Sequence, residues 1–235
     1  MTNYFVELST QNKVSFCDLS KTIFYFTYQT FGKIENLYIF VRLLKSSCLF
    51  MPVQKVTKEE ILIRSSDIFR TKGYHNTSMQ DLAQNCGLLK GSLYHYFPSK
   101  EMLMKDLLVW FYNYLQEKVF PIANDISLSP EERMEKLLKK MGRLLLEKEG
   151  GCLVGNTTLE TVGIIPEFHE VLKNIMDGWT RALQQIFMTG KEEPTAYRMA
   201  QQTIMEFEGA VMFSKLYGEK QFVYDAFLRA IEKLK

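Results

Sequence analysis

Cys86-Gly87-Leu88-Leu89-Lys90-Gly91-Ser92-Leu93-Tyr94-His95-Tyr96-Phe97-Pro98-Ser99-Lys100-Glu101 is the stretch around which the rest of the chain is arranged. Gly87 predicts a tight turn, residues 90–97 a short helix, Pro98 a break and Ser99 the cap of a new helix. A helix this short does not hold in water, because nucleation is costly and about 12–15 residues are needed even for good formers. Its neighbours must pin it. Leu93 and Phe97, at i and i+4, share a face that can meet a core, which turns Lys90, Ser92, Tyr94 and His95 outward. That outward set is basic and hydroxylic, with no carboxylate. Gly91 and Ser92 are small, so the first turn can come close to a surface, and its free backbone N–H groups favour an anion such as phosphate.

The residues before this stretch complete a motif. Thr77-Ser78-Met79-Gln80 reads as a capping box, with Thr77 as the cap and Gln80 three residues on, and Leu82 and Ala83 carry an apolar face to Gly87. Two short helices joined by a glycine turn describe a helix-turn-helix, whose second helix enters the DNA major groove. Upstream, Thr57 caps a first helix with Glu59 and Glu60 in its first turn. Ile61, Ser65, Ile68 and Phe69 form its inner face and Gly73 ends it.

The run Gly73-Tyr74-His75-Asn76-Thr77-Ser78-Met79-Gln80-Asp81-Leu82-Ala83, then Gly87, then residues 90–97 and Ser99-Lys100-Glu101, resembles the DNA-binding domain of TetR/AcrR-type transcriptional regulators over roughly residues 56–115. The resemblance implies an all-α protein: an N-terminal three-helix helix-turn-helix domain followed by a helical bundle for ligand binding and dimerisation. It implies a homodimer that represses from a palindromic double-stranded DNA operator and lets go when a small molecule enters the C-terminal domain. It places Lys90, Gly91 and Ser92 in the groove, Tyr94 and His95 on bases or backbone, Lys100 on a phosphate, and Ser78 and Gln80 on flanking backbone or a base edge. Three positions depart from the family pattern: Leu89 where a Ser or Thr cap is usual, Cys86 where Ala is common and Ser65 where Ala is usual. The missing cap weakens the recognition helix by about 0.5–2 kcal/mol.

The whole chain of 235 residues carries a formal net charge of only +2, so a nucleic-acid surface has to be local. Between residues 55 and 105, eight basic residues (Lys55, Lys58, Arg64, Arg70, Lys72, Lys90, Lys100, Lys105) face five acids (Glu59, Glu60, Asp67, Asp81, Glu101). Cys17, Cys48, Cys86 and Cys152 form no C-x-x-C pair and the three histidines lie far apart. Neither a disulfide framework nor a metal site is expected, and a reducing cytoplasm suits the chain. No apolar run reaches the roughly 18 residues that span a bilayer. The signatures of phosphate cradles, zinc proteases and serine hydrolases are missing, so no enzyme and no cofactor is expected.

After Ser99 a longer helix is expected to about residue 118, with Met102, Leu103, Leu107 and Trp110 inward. Ser129-Pro130-Glu131-Glu132 opens another, whose apolar face of Leu137, Leu138, Met141, Leu144 and Leu145 runs to Gly150-Gly151. A segment begins near Asn156, Pro166 opens a helix that Gly190 ends, and two final helices occupy about 194–217 and 222–234. Small residues Gly209, Ala210 and Ser214 let two copies of the penultimate helix approach, and the resemblance implies a four-helix dimer interface. Gly151-Cys152-Leu153 resembles a stretch of electrophile-sensing members of the same family, which makes Cys152 a sensing candidate beside its plain reading as a small buried hydrophobe. A ligand pocket would draw on Trp110, Tyr114, Phe168, Trp179 and Phe207, and Glu206 and Glu208 could select a cation.

The expected division is 1–50 as an atypical N-terminal extension, 51–100 as the DNA reader and 101–235 as the ligand-binding and dimerisation domain. Residues 1–50 contain no Ala and no Pro and many Phe and Tyr. Met51 is the expected true start, with the preceding codons upstream sequence, against a genuine extension lying on the surface or a membrane. The rival functional reading is a helical protein-interaction module with a silent DNA-binding motif.

Overall fold

The computed structural model describes residues 56–146 and 149–235; the expectations for 1–50 and for a start at Met51 fall outside them. Among the described residues nine α-helices and one 3-10 turn account for the regular structure, and no strand occurs.

Thr57 caps α1 (Lys58–Lys72) through a reciprocal box with Glu60: the Glu60 N–H donates to Thr57 Oγ1 at 3.1 Å and the Thr57 N–H to Glu60 Oε2 at 2.8 Å. The next cap lies one residue later than expected. Ser78, not Thr77, caps α2 (Met79–Cys86), and Asp81 rather than Gln80 closes the box. Thr77 is buried and its hydroxyl donates to the Gly73 carbonyl, so it finishes the preceding turn and is not free to cap. Gly87 stops α2 at φ 69°, a left-handed conformation that costs a glycine little. Its N–H reaches Gln84 O at 3.1 Å, and that of Leu88 reaches Ala83 O at 2.8 Å.

Leu89 precedes α3 (Lys90–Tyr96) without any side-chain cap and stands 80% exposed. What holds α3 is its inner face: Leu93 and Phe97 are fully buried with Phe69, Leu82 and Leu103. The two core positions that depart from the family pattern meet each other, Ser65 Oγ lying 4.0 Å from Cys86 Sγ.

Ser99 caps α4 (Lys100–Lys118), which buries Leu103, Met104, Leu107, Leu108, Phe111 and Leu115. Met102, expected inside, is 51% exposed, and Trp110 is only half-buried. The buried stripe runs through 103, 107, 111 and 115, and a residue one step out of that phase faces away. A 3-10 turn, Phe120–Asn124, leads to α5 (Pro130–Leu146), opened by Ser129 and Glu132 in a third reciprocal box.

α6 (Leu153–Thr161) begins three residues before the expected Asn156, because Cys152 serves as its cap: the Gly155 N–H donates to Cys152 Sγ at 3.3 Å. α7 (Pro166–Phe187), α8 (Glu193–Tyr217) and α9 (Gln221–Glu232) complete the bundle. Glu206 on α8 joins α9, accepting from Arg229 and, at 3.0 Å, from Lys233. These bonds hold its carboxyl below the usual range although burial opposes them. Ala210 faces its own core, so the expected stripe of small residues is not an outer face as a whole. The outer face is Met205, Gly209, Met212, Phe213 and Leu216, spaced i, i+4, i+7, i+8 and i+11, with Leu216 71% exposed. Leu228 on α9 is also exposed.

Candidate nucleic-acid interface and ligand cavity

With Leu93 anchored at 0% exposure, the rest of α3 is turned out. Lys90, Gly91, Tyr94 and His95 are exposed and Ser92 is half-buried, as are Ser78 and Gln80 exposed on α2. Ser78, Lys90, Tyr94 and Lys100 line one open depression together with His75 and Asn76. No carboxylate shares the outward face of α3, so the field there suits an anionic partner.

Lys100 is placed differently from the other basic residues of the motif. Its ammonium donates to the Tyr74 carbonyl at 2.8 Å and lies 4.3 Å above the Tyr74 ring, and burial lowers its proton affinity. An ammonium has three protons, so this contact fixes Lys100 at the mouth of α4 without using up its capacity to donate. Tyr74 is the hub of this corner. Its ring stacks on Phe69 at 5.9 Å and meets Phe168 of α7 edge-on at 5.4 Å, and its hydroxyl donates to Glu101 at 3.1 Å. Phe168 therefore sits between reader and bundle.

A second site lies inside the bundle. A cavity of about 40 Å³ is enclosed by α1, α4, α5, α6, α7 and α8. Of the residues proposed for a pocket, Cys152, Trp179 and Phe207 line it; Trp110, Tyr114 and Phe168 do not. Trp110 stacks on Tyr114 at 6.1 Å and its indole N–H donates to Glu59 of α1 at 3.1 Å, which fastens α4 to the reader.

The polar groups of the cavity are Arg70, Cys152 and Glu208. The surrounding protein and the Glu208 carboxylate push the Cys152 thiol well above its ordinary range, outweighing the Gly155 N–H that favours a thiolate. Burial likewise raises the Glu208 carboxyl. Of the two carboxylates expected to select a cation, Glu208 lines the cavity and Glu206 does not, being paired with Arg229 and Lys233, while Arg70 was not legible as a cavity residue from local sequence although a signal existed. Arg70 lies in phase with Leu62 and Ser66 of the inner face of α1, and Glu208 stands between Ile204 and Val211 at helical spacing.

Two family models match the chain: that of bacterial regulatory proteins of the tetR family over residues 61–107, and that of the C-terminal domain of LmrA/YxaF-like transcriptional regulators over residues 130–226. The chain belongs to the TetR family of transcriptional regulators. It is a DNA-binding regulator with an N-terminal helix-turn-helix and a helical C-terminal part. Among its relatives is the HTH-type transcriptional repressor DhaR of Mycobacterium sp. (strain GP1), 23% identical over 190 residues that span 75% of this chain and 95% of DhaR. Another is the HTH-type regulator YxaF of Bacillus subtilis, 27% identical over 70% of this chain and 87% of YxaF. The fold is that of a TetR regulator from Legionella pneumophila, with a TM-score of 0.71, 24% identity, and coverage of 79% of this chain and all of that one. In this TetR regulator, no helix among the described residues is long and apolar enough to cross a membrane.

Proposed function

We propose that this TetR regulator is a homodimeric repressor, acting in the cytoplasm, that grips a palindromic operator with two copies of α3 and releases it when a small molecule occupies the bundle cavity. In this reading residues 51–100 are the reader and 101–235 the effector and dimerisation part. The observation that carries it is the outward basic and hydroxylic face of α3 above a fully buried Leu93. Lys90, Gly91 and Ser92 read the groove, Tyr94 and His95 extend the contact, and Ser78, Gln80 and Lys100 meet flanking phosphates, which set register while base edges set sequence.

The exposed apolar face of α8, together with Tyr224 and Leu228 of α9, supports dimerisation through these two helices. The inducer acts by occupancy, with Cys152 a neutral thiol of the wall; the carboxylate beside it favours this over attack by a thiolate. About 1–3 kcal/mol of coupling is enough for a 5- to 150-fold change in affinity.

Selection of bound duplexes from a random pool at low salt tests the reading. Two inverted half-sites about one helical turn apart are expected. Failure to retain any duplex at low salt overturns it in favour of a protein-interaction module with a silent motif.

A further inference from the structure

Arg70 places a cation on the cavity wall. It is 6% exposed, and its guanidinium cannot shed its charge in a protein. One terminal nitrogen donates to the Leu144 carbonyl, while the Nε–H has no acceptor among the described residues. Buried donors are almost always satisfied, and buried charges are almost always paired. Here no carboxylate of the described residues lies within ion-pair distance, and Asp67, one turn back on α1, supplies only longer-range attraction. The Arg70 backbone is equally committed: Asn156 of α6 donates to its carbonyl at 3.2 Å, and a Cβ at Gly150 would stand 2.3 Å from that oxygen. The backbone from which the side chain springs is therefore held in place.

The rest of the cavity wall is apolar, with Phe111, Met176, Trp179 and Phe207 among its residues. Glu208 is the one carboxyl among the described wall residues; it stands beside Cys152, forms no ion pair with Arg70, and burial raises its carboxyl, so it leaves the guanidinium open to an outside anion.

We propose that the cavity binds a small organic acid, whose carboxylate takes the Arg70 guanidinium and whose apolar body lies against Trp179 and Phe207. This rests on the effector reading given above and names the ligand's chemistry. A planar carboxylate matches the planar fork of a guanidinium and supplies both the missing charge and the missing acceptor. The volume of about 40 Å³ admits only a few heavy atoms as it stands. A longer acid must move a wall, and the contact nearest to hand is the one between Arg70 and the Leu144 carbonyl. Because Arg70 belongs to α1, the ligand's head group is held by a side chain of the reader itself.

The test is calorimetric titration of the full-length protein without DNA, using propionate, butyrate and benzoate against propionamide, butyramide and benzamide. At least one acid is expected to bind, with its amide 10-fold or more weaker. Arg70→Gln should erase that preference, and Glu208→Gln should retain it. Binding of amides as tight as their acids, or no binding by any acid at millimolar concentration, overturns the proposal. So does an Arg70→Gln protein that still prefers acids. If the Arg70 variant does not fold, the acid-to-amide ratio of the unaltered protein decides. Release of the selected operator duplex is read separately. An acid that binds without releasing DNA leaves the site standing and removes its effector role, whereas release by other compounds with no acid preference does the reverse.

Discussion

Glu160, at the C-terminal end of α6, accepts the backbone N–H of His75 on its carboxylate at 3.0 Å, and its carbonyl lies 3.0 Å from His75 Nε2. The opposite end of the same helix is capped by Cys152 on the cavity wall, about 12 Å away at 1.5 Å per residue. One short helix thus touches both the cavity and the reader's turn. Gly73 makes room for it: its φ is +82° and a Cβ there would stand 2.5 Å from the Glu160 carboxylate. Glu160→Ala should lose about 1 kcal/mol, the usual scale for one hydrogen bond, and speed exchange of the His75 amide. Hydrogen exchange by mass spectrometry checks it; an unchanged rate in the turn argues that the tether is idle.

The cap of α2 has a pH signature. Hydrogen bonds from Lys72 and then from Ser78 hold the Asp81 carboxyl well below its ordinary range. A carboxyl depressed in the folded state adds stability above its unfolded pKa of about 3.9, and this contribution is lost as pH falls through the folded value. Asp81→Asn should therefore lower the melting temperature at pH 7 and lower it less at pH 3. Ser78→Ala removes the partner oxygen and should cost about 0.5–2 kcal/mol at neutral pH. Equal losses for Asp81→Asn at both pH values would contradict the assignment.

Lys90 and Lys100 should separate in the same binding assay. Lys90 is exposed with no partner among the described residues, so Lys90→Ala should weaken duplex binding, lower the salt slope by about one phosphate and leave melting unchanged. Lys100→Ala should weaken binding as well, but it also removes the bond and ring contact to Tyr74 and should cost roughly 1 kcal/mol of stability. Salt titrations paired with thermal melts distinguish the two.

The outer face of α8 should control assembly. Replacing Phe213, 43% exposed in the single chain, by Glu places a charge in the middle of an apolar face. Sedimentation velocity should show a shift from dimer to monomer, with operator affinity falling alongside it. A protein that stays dimeric after Phe213→Glu places the interface elsewhere.

Cys152 should be a sluggish thiol. Burial and the neighbouring Glu208 carboxylate raise its proton affinity, so alkylation by N-ethylmaleimide at pH 7.5 should run at least 10-fold slower than for a free cysteine, as followed on the Cys152 peptide. Glu208→Gln should speed the reaction, since it removes the carboxylate that opposes the thiolate. Rapid labelling of the unaltered protein would favour electrophile sensing at Cys152 over induction by occupancy.

Much of this was legible because it is local. Leu93 and Phe97 at i and i+4 are fully buried, Ser129 with Glu132 closes a box, and Gly87 takes the left-handed turn, each fixed by residues within four positions. The errors arose where two local solutions were equivalent. Thr77 and Ser78 both carry a hydroxyl suited to capping, and the choice fell to Ser78 only because Thr77 is drawn to the Gly73 carbonyl in a buried turn. Cys152 capping α6 was missed because a thiol is a weak acceptor, and the site is set by the Gly155 N–H and the turn at Gly150-Gly151.

The order of residues determined the helical class, the helix-turn-helix and its outward face, since periodicity, caps and breaks act over a few residues and need no distant partner. Only the tertiary structure decided which side chains meet inside the bundle. Arg70, Cys152 and Glu208 lie on three different helices or their caps, and Glu160 is 85 positions from His75. Contacts of that range are set by how whole helices pack, where one helical step turns a side chain by about 100° and so moves it from solvent to cavity.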